Sequence, residues 1–201
     1  LTYPTSIYRL AFSALYTFSI QQNLSINPSA LFSRSKFLGV HLQSSSDVDE
    51  GGWGSTSYKE QSKDYLELAK RLKFPVIYVA SGNSLSVFHF MVEAAAQSLP
   101  IKVVAKENLL SGNKLEELRK MTWEQADLVD HVFLQSVGFF AGIQESSFAW
   151  SVAIARTKCW GGEEAVCGDG GEALREGRWW KNNWSMIIGD YPSGSRGRIW
   201  P

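Results

Sequence analysis

The sequence predicts an α/β fold, a Rossmann-like parallel sheet with helices on both faces. Three observations carry this. Runs at residues 36–42, 75–80, 101–105 and 137–142 are largely apolar rather than alternating, as expected of strands covered on both sides. Between them lie segments of helical length and periodicity, which parallel strands need for their crossovers. Pro75 and Pro100 stand at or just before two of the strands, where proline stops a preceding helix and tolerates a strand start.

The elements follow in order. Residues 1–35 are rich in Ser, Tyr and Phe and carry one helix, around Tyr8–Ile20. Lys36-Phe-Leu-Gly-Val-His-Leu42 is the first strand. Ser55 to Leu72 is amphipathic, with Tyr58, Tyr65, Leu66, Ala69 and Leu72 opposite Lys59, Glu60, Lys63 and Asp64. Pro75-Val-Ile-Tyr-Val-Ala80 is the second strand. The helix from Ser84 to Ser98 is apolar on nearly every side (Leu85, Val87, Phe88, Phe90, Met91, Ala94, Ala95) and is expected to be well buried. Ile101-Lys-Val-Val-Ala105 is the third strand. Lys114 to Lys120 forms a short charged helix, and Thr122 caps a longer one reaching Leu134. Val137-Gly-Phe-Phe-Ala-Gly142 is the fourth strand, running into a helix from Ser146 to Lys158. Beyond it Gly, Trp and Arg dominate, and Ser185-Met-Ile-Ile188 reads as an edge strand. The expected organisation is an N-terminal segment (1–35), a sheet domain (36–158) and a Trp/Gly-rich C-terminal extension (159–201).

Composition narrows the partners. Twenty basic and twenty acidic residues cancel, so no net field draws the chain to nucleic acid or acidic membranes. No apolar run reaches the length of a membrane span. Leu10–Ile20 is interrupted by Tyr and Ser with no cleavage site after it, unlike a signal peptide. Three scattered histidines (His41, His89, His131) and two cysteines give no zinc pattern, and no metal is expected. Cys159 and Cys167 enclose a glycine-rich loop suited to a local disulfide in an oxidising compartment. With the sequons at Asn23-Leu-Ser25 and Asn183-Trp-Ser185 they point toward the secretory pathway.

Ligands of such sheets bind beyond the carboxyl ends of the strands. That places His41–Asp49, Ala80–Ser84 and Gly142–Phe148 in one crevice. At the last of these a strand runs into a helix, whose first N–H groups lack internal partners and favour an anion. Ser146 and Ser147 add hydroxyls, and Phe148 an apolar face for a ring or the core. Ser146 as a plain helix cap is the competing reading. His41 is open between ligand contact and core residue, and Asp47, with Asp49 and Glu50, between general base and solvated loop. Arg156 stands ten residues along the helix from Ser146, about 15 Å away. It reads as a helix C-terminal charge or a partner for an acidic neighbour, and Lys102, Lys106 and Lys114 as surface charges. The tryptophans at 160, 179, 180, 184 and 200 suit carbohydrate stacking or packing over the core.

Read together, these segments resemble a known family. Gly39-Val-His-Leu-Gln43, with Asp47 and Trp53 after it, is similar to the His-Leu-Arg segment of the GDP-fucose protein O-fucosyltransferase superfamily, in its fungal, little-characterised branch. Tyr78-Val-Ala-Ser-Gly-Asn83 resembles that family's second strand end. Phe139-Phe-Ala-Gly142 with Glu145-Ser-Ser-Phe148 resembles its third motif, and Arg198-Ile-Trp-Pro201 the end of the fungal versions. The resemblance implies the C-terminal, nucleotide-binding half of a GT-B glycosyltransferase that transfers fucose from GDP-fucose, without a metal, to a hydroxyl of a protein or glycan acceptor. It implies that Ser146, Ser147 and Phe148 hold the diphosphate, that His41 and Asn83 help place the nucleotide, and that position 43 supplies an arginine for the leaving diphosphate.

Two positions depart from the pattern. Gln43 replaces the arginine, and an amide can donate to phosphate oxygens but cannot neutralise them. Loss of a positioned charge-stabilising donor costs about 10²–10³ in rate. Asn83 stands where the family often has aspartate. The chain opens on Leu1, and residues 1–35 hold no counterpart of the glycine-rich first motif. The expectation is therefore an impaired transferase, or an inactive relative or fragment acting as a nucleotide-binding or interaction domain.

Overall fold

In a computed structural model the described residues are 3–24, 37–43, 56–97, 101–160, 179–181 and 185–189, with backbone alone for 157–160 and 179–181. Helix α1 (Thr5–Gln21) precedes β1 (Leu38–His41), α2 (Tyr58–Arg71), β2 (Val76–Ala80), α3 (Ser84–Ala95) and β3 (Lys102–Val104). Then come α4 (Lys106–Leu109), α5 (Asn113–Arg119), α6 (Trp123–Gln135), β4 (Phe139–Ile143), α7 (Ser147–Trp160), β5 (Trp179–Lys181) and β6 (Ser185–Ile188). The sheet order is β3-β2-β1-β4-β6-β5, with the first five strands parallel and β5 antiparallel to β6. The predicted α/β, Rossmann-like fold is present.

Strand periodicity sorts the core into two layers. Tyr78 and Ala80 of β2, Phe140 of β4 and Ile187 of β6 face α1, α6 and α7. Their neighbours Ile77, Val79, Ala141 and Ile188, with Leu38 and Val40 of β1, face α2 and α3, the alternation of a pleated strand. Gly39 lies on the α6 side, where an added Cβ would stand 2.6 Å from Leu134 Cδ2. Helix α1 joins the same core through Leu10, Ala14 and Phe18, and Phe18 packs on Phe37 and Phe133.

Four expectations are corrected. The segment Ser185–Ile188 is no edge strand: β6 pairs with β4 on one side and β5 on the other. Helix α3 is not well buried, since only Phe90 and Ala94 are enclosed while Leu85, Phe88 and Val92 are exposed. It lies over one end of the sheet, beside α2 and β3, so a single stripe faces protein. Lys106 is no surface charge. It is buried at the start of α4, its Nζ paired with Asp130 of α6, whose carboxylate also accepts from the Tyr78 hydroxyl at 2.5 Å. Arg156 is fully buried and caps the end of α6 rather than of its own helix. Its Nη1 donates to the carbonyls of Leu134 and Gln135, at 2.9 and 3.1 Å, and its Nε to Ser185 Oγ. Those carbonyls end α6, where a helix leaves acceptors unpaired.

Candidate functional site at the β1/β4 switch

Connections from β1 run toward β2 and those from β4 toward β6, so the strand order reverses between β1 and β4. A crevice opens at such a point, beyond the carboxyl ends of the strands. Two ends meet there: His41-Leu-Gln43 after β1, and Gln144-Glu-Ser-Ser147 leading into α7.

Sequence dictates the junction. Gly142 lets α7 close on the sheet, because any Cβ there would overlap Ala149 Cβ. Ser146 then caps the helix. Its Oγ accepts from Ala149 N–H at 3.0 Å and its carbonyl from Trp150 N–H at 3.1 Å. The same hydroxyl lies 3.0 Å from His41 Nδ1. The direction of that bond follows the His41 tautomer, since the hydroxyl that accepts from Ala149 keeps both a hydrogen and a second lone pair. Burial, helped by the charge of Lys106, lowers the His41 pKa to about 4, so the ring is neutral at physiological pH.

Around this bond the other predicted residues take distinct places. Phe148 turns inward between two imidazoles, its centroid 4.5 Å from His41 and 5.5 Å from His131. Ser147 is exposed on the first turn. Its N–H and that of Phe148 have no partner among the described residues, which leaves two donors at the positive end of α7. Asn83 caps α3, its Oδ1 accepting from Leu85 and Ser86 N–H at 3.0 Å each. Asp47, Asp49, Glu50, Trp53, Cys167, Asn183 and the closing Arg198–Pro201 lie outside the described residues, as do the side chains of Cys159 and of the tail tryptophans.

Gln43 is held by its backbone. Its N–H donates to Gln61 Oε1 at 3.0 Å, and Gln61 Nε2 donates to the carbonyls of Gln43 and Thr56. Three residues beyond the Val40–Ala141 register pair, Gln43 and Gln144 follow adjacent strands at equivalent positions. Each side chain has a buried Oε1 with no hydrogen-bond partner. Thr56, entering α2, donates from N–H and Oγ1 to Glu145 at 3.3 and 3.2 Å, which ties that helix to the β4–α7 turn. Gln61 and Glu145 went unassigned in the sequence because the bonds that fix them, to Gln43 and Thr56, span 18 and 89 residues. Among the described residues at these strand ends the one cation is Lys106, which is committed to Asp130.

Among the described residues no group of three or more His, Cys, Asp or Glu is arranged to hold a metal, and no helix is long and apolar enough to cross a membrane. No protein-family model matches the chain, and a search of characterised proteins returns no significant match.

Proposed function

We propose that this chain is a nucleotide-sugar-binding domain of the glycosyltransferase class, taking a nucleoside diphosphate such as GDP at the β1/β4 switch and supporting fucose transfer poorly or not at all. The observation that carries the reading is the α7 N-terminus. Two N–H groups, of Ser147 and Phe148, and the exposed Ser147 hydroxyl stand at the crevice of a Rossmann-like sheet, where anionic ligands of such sheets bind. The unpaired amide oxygens of Gln43 and Gln144 add support, since a ligand bringing N–H or O–H groups would complete them. The choice of GDP rests on the resemblance of the three strand-end segments to the O-fucosyltransferase superfamily. Weak catalysis follows from chemistry: Gln43 supplies no charge to a leaving diphosphate.

Ser146 serves this reading as the cap that aligns α7, and Ser147 as the contact. Calorimetric titration with GDP and GDP-fucose tests it. Binding with Kd on the order of 0.1–1 mM is expected, and Ser147→Asp is expected to abolish it. An aspartate in the first turn suits the helix dipole while placing a carboxylate where the phosphate would sit. Absence of heat at millimolar GDP, or binding unaffected by Ser147→Asp, would overturn the proposal.

A further inference from the structure

Helix α1 ends in a tight reversal. The Asn23 N–H donates to the Ile20 carbonyl at 3.2 Å and the Leu24 N–H to the Ser19 carbonyl at 2.9 Å, the paired bonds of a Schellman motif. Such a motif needs a left-handed residue at its turn, and Asn23 supplies it with φ 50°. The reversal sends two neighbours opposite ways. Leu24 packs on the core, while Asn23 is exposed and its side-chain amide makes no hydrogen bond among the described residues. Glycine is the usual residue there, so the turn alone does not call for asparagine.

The sequence supplies another reason. Asn23-Leu-Ser25 is a sequon with no proline at its middle position. The second sequon, Asn183-Trp-Ser185, ends on a serine that is fully buried in β6, where its Oγ accepts from Arg156. A bulky, hydrated glycan suits a surface turn. It does not suit a position two residues from the enclosed Ser185, in a strand paired on both sides. The place in the fold agrees. Phe18 packs on Phe37 just before β1, so α1 ends at the amino ends of the strands, and a substituent there leaves the crevice beyond their carboxyl ends open.

We infer that Asn23, and not Asn183, is an attachment site for an N-linked glycan. The donor is an oligosaccharide joined to a lipid diphosphate through the anomeric carbon of its first N-acetylglucosamine. Asn23 Nδ2 bonds to that carbon and the bond from carbon to the diphosphate oxygen breaks. The amide gives up one proton and the lipid diphosphate leaves. The transfer belongs to the secretory pathway, whose oxidising lumen also suits the spacing of Cys159 and Cys167. The inference is independent of what occupies the β1/β4 crevice.

Peptide mass spectrometry of the chain isolated from the cells that make it reads the site directly. After digestion with a peptide N-glycosidase in heavy-oxygen water, Asn23 is expected as labelled aspartate in most copies and Asn183 as unlabelled asparagine. Two variants made in the same cells separate the modification from the turn. Ser25→Ala keeps Asn23 in place and is expected to migrate on a gel as the digested chain does. Asn23→Gly keeps a left-handed turn without an acceptor and is expected to show the same loss of mass. An unlabelled Asn23, a label at Asn183, or a glycan on Asn23 that survives Ser25→Ala would each overturn the inference.

Discussion

Ser146 Oγ lies 3.0 Å from His41 Nδ1 while also accepting from Ala149 N–H, so one hydroxyl joins the end of β1 to the start of α7. The bond crosses the point where the strand order reverses, and it makes Ser146 a structural residue and leaves Ser147 to face solvent. Replacing either serine separates the roles. Ser146→Ala is expected to cost about 1–2 kcal/mol, the price of a lost cap with His41 left short of a partner. Ser147→Ala should stay within about 0.5 kcal/mol. Urea denaturation of the two variants checks this, and equal losses would contradict the assignment.

Two neutral histidines make stability fall in acid. His41 and His131 both have pKa values lowered by burial to about 4, against an ordinary value of 6.5. The unfolded chain takes up these protons first, so their stabilisation is intact above pH 6.5 and is lost as pH falls toward 4. Asp130 works the other way. Burial raises it to about 6 despite Lys106 and Tyr78, so the folded state binds its proton first and recovers part of the loss between pH 6 and 4. Two groups against one leave a net loss. The urea midpoint is expected to drop from pH 7 to pH 5, and the drop to shrink in His131→Gln. A midpoint that rises on acidification would contradict this balance.

Arg156 predicts a large effect far from the crevice. Its guanidinium is enclosed and donates to Leu134 O, Gln135 O and Ser185 Oγ, joining α6, α7 and β6. Arg156→Ala would leave buried acceptors unpaired, each worth about 1–3 kcal/mol, and is expected to cost at least about 3 kcal/mol. Arg156→Lys should recover only part of that, because an ammonium lacks the planar fork. Ligand affinity of whatever remains folded should not change. Denaturation curves beside GDP titrations decide it, and a loss of affinity without a loss of stability would instead make Arg156 a ligand contact.

What the sequence revealed and what it concealed divide along range. The strands of residues 38–41, 76–80 and 139–143 are legible because burial on both faces demands unbroken apolar runs. The cap at Thr122 is local chemistry, written within three residues, whereas Asn83, read as a nucleotide contact, turns out to cap α3. Lys106 could not be read as buried, because what neutralises it is Asp130, 24 residues on and in another element. Periodicity likewise says that α3 is apolar but not that the protein layer over it is one-sided. The sheet position of β6 depends on pairing with β4 and β5, which a four-residue run does not encode. That the apolar runs ending at His41 and Ile143 are neighbouring strands was legible; the division of labour between Ser146 and Ser147 was not, since it hangs on His41, 105 residues away.

Gln43 offers the sharpest test of how far the crevice still suits a diphosphate. Its main chain is fixed on both sides by Gln61, whose side chain donates to and accepts from it, so a new side chain at position 43 leaves the backbone where it is. Gln43→Arg removes an amide whose Oε1 is unpaired and introduces a guanidinium next to the α7 N-terminus. If phosphate sits at Ser147 and Phe148, the added charge-assisted bonds, worth about 1.5–3 kcal/mol each, should tighten GDP binding by at least about tenfold. The gain should shrink as salt is raised, because the crevice is open to solvent at Ser147. Guanosine, which has no phosphate, should bind Gln43→Arg no better than the unaltered chain. An equal gain for guanosine would place the new side chain on the base and move the phosphate away from α7.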